Sequence, residues 1–273
     1  MTLKQAIVRF TPPQVIHWGK CLSDSSYRRK SRYLARINSV PRHQPTMTDI
    51  LGKPLELVDS ASFIWMYREI FEQEIYRFRA KTDSPYVIDC GANIGLSVLY
   101  FKQLYPDSRI VAFEPDDTIF EVLQGNIERF GYQDIELHCR AVWNCETTLN
   151  FAGDNADGGR LARAGDSHNK KVKTVRLHEV IDRRVDFLKI DIEGAEQEVL
   201  QDCADRLSNV DNIFVEYHSF EEQPQALHII ISILKDAGFR LHIHPPITSP
   251  QPLFKRDVHQ GMDMQLNIFG FRP

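Results

Sequence analysis

The sequence predicts an α/β fold: a doubly wound, mostly parallel sheet closed by an antiparallel final strand. Three observations predict it. Short, nearly continuous apolar runs recur at residues 86–89, 109–113, 186–190 and 212–217, the mark of strands buried on both faces. A stretch of helical length follows each of them. The turn Asp89-Cys90-Gly91-Ala92-Asn93-Ile94-Gly95 joins the first strand to its helix, where doubly wound folds hold a ligand.

Taken in order, residues 1–58 show no sustained period and are broken by Pro12, Pro13, Pro41, Pro45 and Pro54. They read as a basic N-terminal extension with a helical piece around Arg28, Arg29, Lys30 and Arg32, a cluster best read as a solvated helix face. The main domain is expected over residues 59–273. It opens with Phe63, Ile64, Tyr67, Ile70, Phe71 and Ile75 at helical spacing, which predicts an amphipathic helix ending near Phe78. The first strand and the loop lead into a helix over 95–104. After the second strand, Asp116 and Asp117 cap a helix bearing Ile119, Phe120, Leu123, Ile127 and Phe130, which Gly131 stops. A third strand is predicted over 135–142. The polar, glycine-bearing stretch 153–170 reads as a long lid loop between two short inserted strands. Alternation resumes with the strand at 186–190, a helix over 195–207, the strand at 212–217 and a helix over 227–234 closed by Gly238. Strands over 239–243 and 265–271 finish the sheet around a proline-rich loop.

The 273 residues carry 33 Lys/Arg against 37 Asp/Glu, a net charge of −4, which excludes a general nucleic-acid binder. The charge is uneven. Residues 1–50 hold nine Lys/Arg against two Asp/Glu, so a basic head sits on an acidic body and suggests an anionic partner or substrate carrier. Cys21, Cys90, Cys139, Cys145 and Cys203 show no C-x-x-C pair, which fits reduced thiols and a cytoplasmic location rather than a disulfide framework. The start MTLKQAIVRF carries charge where a signal peptide needs an apolar run, so none is expected, and no apolar run is long enough to span a bilayer.

The loop carries the chemistry. A dinucleotide fingerprint needs G-x-G-x-x-G. Here Gly91 and Gly95 stand three residues apart with no glycine between, which disfavours a pyrophosphate and a nicotinamide-dependent oxidoreductase. D-x-G-x-x-x-G followed by Ser97 is instead the pattern of class I S-adenosylmethionine (SAM) methyltransferases. Loop amides and the Ser97 hydroxyl can meet the cofactor carboxylate at the helix N-terminus, and Asp89 can hold the loop or the ammonium. Glu114 closes the second strand about twenty residues on, where a carboxylate can accept both ribose hydroxyls.

VIDCGANIG (87–95), FEP (113–115), DFLKIDIEGAEQEVL (186–200) and VEYHS (215–219) together resemble the FkbM family of SAM-dependent methyltransferases over roughly residues 60–271. The resemblance implies a class I methyltransferase fold and O-methylation of a hydroxyl on a sugar, glycan or polyketide-type natural product. It assigns Asp89, Gly91, Ala92, Asn93, Gly95 and Ser97 to the SAM loop and Glu114 to the ribose. Pro115 and Asp116 would flank the adenine, with Ala141 and Val142 on its other side.

Methyl transfer to an alcohol needs an aligned oxygen, carbon and sulfur and a destination for the alcohol proton. Asp191 and Glu193 end the fourth strand, and Glu216 and His218 end the fifth. His218 is the expected base, with Asp191 either orienting it, acting as base or holding the SAM ammonium, and Glu216 beside them. The same Asp191, Glu216 and His218 form an alternative Mg²⁺ or Mn²⁺ ligand set, though a metal is not expected. Glu196 reads as a first-turn acid placed by the helix dipole alone. Asp157, Arg160 and Tyr217 are the expected acceptor contacts: Arg160 for a phosphate, Asp157 for sugar hydroxyls, Tyr217 as a wall. The histidines show no H-E-x-x-H spacing that would support a zinc hydrolase. The rival of another class is a non-catalytic SAM-binding module.

Overall fold

Strand alternation sets the layering. In the computed structural model, which describes residues 25–152, 159–161 and 169–272, each central strand sends successive side chains to opposite faces. Val87, Phe187 and Phe214 enter one core, and their neighbours Ile88, Leu188 and Val215 enter the other. Helices must cover both faces, and a three-layer sandwich results.

The chain opens with α1 (Ser25–Asn38), the hairpin strands β1 (Thr46–Thr48) and β2 (Leu55–Leu57), and α2 (Ser60–Tyr67), which continues into a π-helical turn Arg68–Glu72. Next come β3 (Tyr86–Cys90), α3 (Leu96–Leu104), β4 (Arg109–Phe113), α4 (Asp117–Phe130) and β5 (Ile135–His138). An inserted sheet holds β6 (Ala141–Trp143), β7 (Thr148–Ala152), β8 (Arg160–Leu161) and β9 (Asn169–Arg176), followed by the single turn α5 (Leu177–Val180). The chain re-enters the main sheet with β10 (Val185–Ile190), α6 (Glu196–Asp202), β11 (Val210–Phe220), α7 (Leu227–Asp236), β12 (Arg240–Ile247) and β13 (Met262–Phe271).

The main sheet runs β12-β13-β11-β10-β3-β4-β5. The pairs from β11 to β5 are parallel, and only β13 runs antiparallel to both its neighbours. This is the strand order of a class I methyltransferase, with the topological switch between β3 and β10. No helix among the described residues is long and apolar enough to cross a membrane.

Four elements differ from the sequence expectation; one is β12, expected over 239–243, which runs on through Pro245 and Pro246 to Ile247. The helix expected to reach Phe78 leaves α geometry after Tyr67 and ends its π turn at Glu72, and Glu74 then adopts φ 54°. The apolar rhythm persists because Tyr76 and Phe78 belong to an aromatic cluster: Tyr76 meets the Phe214 ring at 4.9 Å and Phe78 meets Phe187 at 4.9 Å. The third strand is split, since Arg140 N–H bonds the His138 carbonyl and the turn sends 141–143 to β9 in the inserted sheet. The helix expected over 195–207 stops at Asp202, and a 3₁₀ turn over Leu207–Asn209 follows.

The N-terminal segment is built into the domain. Leu55 and Leu57 are fully buried. Asn126 of α4 donates to the Glu56 carbonyl at 3.0 Å and accepts from the Glu56 amide at 2.8 Å, so β2 is pinned to α4. Asp59 caps α2 by accepting from the Ser62 amide and also receives the Arg42 guanidinium. In α1, Lys30 pairs with Glu72 at 3.0 Å, while Arg28, Arg29 and Arg32 are exposed, as a solvated helix face requires.

Candidate active site

A cleft of about 790 Å³ opens at the carboxyl ends of the parallel strands, where doubly wound sheets bind ligands. One side is the β3–α3 loop. Gly91 has φ 87°, and a Cβ there would lie 1.9 Å from the Asp191 carbonyl oxygen, so the position admits only glycine. At Gly95, φ 94°, a Cβ would stand 2.7 Å from Leu123. The left-handed Asn93 amide donates to Glu114 at 3.0 Å and the Asp116 amide donates to the same carboxylate at 2.9 Å. Burial outweighs these two donors and pushes the Glu114 carboxyl up to about 7. Gly91, Ala92, Asn93, Ser97, Glu114, Pro115, Asp116, Ala141 and Val142 all line the cleft.

Asp89 and Gly95 stand behind that wall. The Ser97 hydroxyl, expected to face a cofactor, donates to the buried Asp89 carboxylate. Lys189, next to the last residue of β10, sits directly across from Asp89 in the parallel register. Its ammonium lies 3.3 Å from Asp89 and 3.1 Å from Asp191 and donates to the Gly91 carbonyl at 2.6 Å. Burial would lower the Lys189 pKa, but Asp191 and Asp89 hold it well above its ordinary value. Lys189 therefore braces the loop and both aspartates. A lone lysine in a run buried on both faces was the available signal, because such a charge needs a partner.

Strand parity places the floor. Asp89, Lys189, Asp191, Glu216 and His218 share the phase of Phe187 and Phe214, so they project to one face. Ile190 pairs with Val215, which sets Asp191 beside Glu216. These two carboxyls share a hydrogen bond. Burial first and then the Asp191 charge push the Glu216 carboxyl well above its ordinary range, while Lys189 and His218 overcome the burial of Asp191 and lower its pKa. Glu216 also accepts from Gln265 of β13. Glu69, from the π turn, closes the group and accepts from Trp65 and Asn267. Its burial, then the Asp191 charge, push it up to about 7. Nothing in the sequence separated Glu69 from an ordinary helix-face acid, because the π turn that aims it has no sequence mark.

His218 is buried and paired on both sides. Nδ1 lies 3.0 Å from Glu196 and Nε2 lies 3.6 Å from Glu193. Burial would lower its pKa, yet Glu193, Glu196 and Glu216 together raise it well above the ordinary value. Glu196 thus differs from the solvated first-turn acid expected: it is buried, accepts from the Gly194 amide at 2.9 Å and orients His218. The carboxylates grouped with His218 as cation ligands also differ. Asp191, Glu193 and His218 bring their ligand atoms within 4.8 Å of one another, and Glu193 stands where Glu216 was expected. Glu216 is instead taken up by Asp191 and Gln265.

The expected acceptor contacts fare differently. Tyr217 has the opposite parity to Glu216 and His218. Its hydroxyl accepts from the Ala226 amide at 3.0 Å, and it faces a smaller pocket of about 250 Å³ with Trp143, so it is not in the main cleft. Asp157 and most of the expected lid, 153–158 and 162–168, lie outside the described residues, and Arg160 is placed only by its backbone in β8. The rest of the cleft is lined by Arg42, Trp65, Met66 and Glu69 and by Pro246, Ile247, Val258 and Met262 of the β12–β13 region.

Comparison with known proteins agrees with this geometry. The family model described as the methyltransferase FkbM domain matches residues 89–241, more than half of the chain. Methyltransferase 1 of Beauveria bassiana is 26% identical over 216 residues, covering 69% of this chain and 86% of its own. The 31-O-demethyl-FK506 methyltransferase FkbM of Streptomyces tacrolimicus is 26% identical over 248 residues, covering 77% and 92%. The hexuronic acid methyltransferase AglP of Haloferax volcanii is 24% identical over 183 residues, covering 64% and 75%.

Proposed function

Because the chain belongs to the FkbM methyltransferase family and is a SAM-dependent enzyme, we propose that it methylates a hydroxyl of a sugar, glycan or glycosylated small molecule. The observation that carries this reading is the acceptor half of the cleft. The half-exposed Trp65 indole donates to the Glu69 carboxyl, and Arg42 lines the same cleft. A flat aromatic face takes the C–H face of a sugar ring, and the carboxyl and guanidinium take its polar edge. The relative named for hexuronic acid supports a sugar acceptor.

SAM would lie along the loop wall, its ribose on Glu114 and its adenine between Pro115 and Asp116 on one side and Ala141 and Val142 on the other. Its methionine end would meet Gly91, Ala92 and Asn93. SAM, when bound there, would supply the methyl group, the acceptor oxygen displacing S-adenosylhomocysteine with the carbon–sulfur electron pair going to sulfur. The hydroxyl proton passes into the carboxyl cluster of Glu69, Asp191 and Glu216. His218, raised in pKa by its carboxylate neighbours, would hold Asp191 in place and favour its charged form.

A second reading, the hydroxyl of an apolar polyketide-type natural product, draws on the other wall, Met66, Ile247, Val258 and Met262, and on the relative named for 31-O-demethyl-FK506. S-adenosylhomocysteine release on a panel of neutral glycosides, uronosides and macrocyclic polyketides decides between the two. Turnover confined to glycosides is the expected result. Turnover confined to the macrocycles would reverse the order, and none on a SAM-binding protein would favour a non-catalytic module.

A further inference from the structure

The floor of the cleft carries three side chains whose chemistry the methyl-transfer reading leaves partly unused. Asp191, Glu193 and His218 each offer one ligand atom, all within 4.8 Å of one another. They come from the end of β10, the turn before α6 and the end of β11, and all three line the cleft. The imidazole is the independent observation. Its side chain is 1% exposed, and Glu196, itself buried, engages Nδ1 at 3.0 Å. Nε2 thereby faces Asp191 and Glu193, with the Glu193 carboxylate 3.6 Å away. A carboxylate on one ring nitrogen with the other turned to a cluster of oxygens is the arrangement that orients a metal-binding histidine.

Charge points the same way. Five carboxyls, Glu69, Asp191, Glu193, Glu196 and Glu216, gather at this floor beside Lys189 and His218. Lys189 is already committed to Asp89, Asp191 and the loop carbonyls. Two hard oxygens and one imidazole suit a divalent cation such as Mg²⁺ or Mn²⁺, whose other positions stay open to water or an alcohol.

We propose that Asp191, Glu193 and His218 bind one divalent cation of the Mg²⁺/Mn²⁺ class, with the acceptor hydroxyl as a further ligand. The role assigned to the acceptor rests on the reading above, while cation binding stands apart from it. A bound cation displaces the imidazole proton and lowers the pKa of the coordinated hydroxyl. The hydroxyl then gives its proton to a neighbouring carboxylate as the new O–C bond forms and the C–S bond breaks onto sulfur.

The test uses the full-length, EDTA-treated protein and Mn²⁺ alone, followed by electron paramagnetic resonance, with SAM affinity measured on the same preparations. The wild type is expected to bind one Mn²⁺ saturably, with a nitrogen coupling in the spin-echo spectrum from an imidazole ligand. Glu193→Gln should weaken binding at least tenfold, and His218→Gln should abolish the nitrogen coupling. Glu216→Gln, which keeps a hydrogen bond to Asp191, should stay within threefold of wild type. Retained SAM binding in each variant shows that it is folded. SAM binding without saturable Mn²⁺ binding to the wild type would overturn the proposal and leave the methyltransferase reading standing. So would equal Mn²⁺ affinity in wild type and Glu193→Gln.

Discussion

At Glu114, two backbone amides and full burial pull in opposite directions, and burial wins. The amides of Asn93 and Asp116 favour the carboxylate, yet the group rises from 4.5 to about 7. The folded protein therefore binds more protons than the unfolded chain between those values, and this group's contribution to stability falls as pH rises through the window. A shift of that size corresponds to about 3 kcal/mol. Thermal or urea unfolding of wild type and Glu114→Gln between pH 4.5 and 8 measures it. The wild type should lose about that much stability relative to the variant up to pH 7 and change little above it. Parallel curves would mean that Glu114 is ionised in the folded protein. Glu114 was legible in the sequence because its distance from the glycine loop and its place at a strand end are local facts. The partners of His218 were not. Glu193 and Glu196 reach it only because β10 and β11 are neighbours and α6 starts over their ends. Tyr217 is a different case: strand alternation alone puts it on the face opposite Glu216 and His218, and the motif's appearance hid that parity.

Among the elements, the hairpin of β1 and β2 does the most that its sequence does not announce. Three-residue strands in a proline-broken, basic stretch give no period to read, yet Leu55 and Leu57 are as buried as the centre of the sheet. They pack with Phe63 and the other side chains of the core beneath α2, and Asn126 joins β2 to α4. Leu57→Ala should accordingly cost about 2–5 kcal/mol. Urea unfolding gives the value, and a loss below about 1 kcal/mol would show the hairpin to be peripheral. The consequence reaches function, because the segment also carries Arg42 to the cleft and the Asp59 cap that starts α2. By contrast β3, β4, β10 and β11 lie within one to three residues of their sequence-based ends, since uninterrupted apolar runs leave few alternatives. The divergent elements are those whose apolar pattern continues through a break. Tyr76 and Phe78 keep helical spacing while serving an aromatic cluster, and Ala141 and Val142 follow β5 in sequence but pair with β9.

Over the whole molecule, the cleft joins three regions distant in the chain: the β3–α3 loop, the ends of β10 and β11, and a wall from α2 and the β12–β13 region that we propose receives the acceptor. The first two were legible because motif and strand end coincide there. The third was not, since no motif marks an acceptor pocket and its composition follows the substrate. Lys189 links the first two by bracing Asp89, Asp191 and the Gly91 carbonyl at once. The cofactor half should therefore bind SAM whether or not an acceptor is present. Calorimetric titration of SAM and S-adenosylhomocysteine into the wild-type protein and into Glu114→Ala tests this most directly. Micromolar binding by the wild type that weakens at least a hundredfold in Glu114→Ala is the expected result, since the ribose would lose a charged hydrogen-bond partner, a contact of roughly 3 kcal/mol. Equal affinity in the two proteins would contradict the placement of SAM along this loop and its ribose on Glu114.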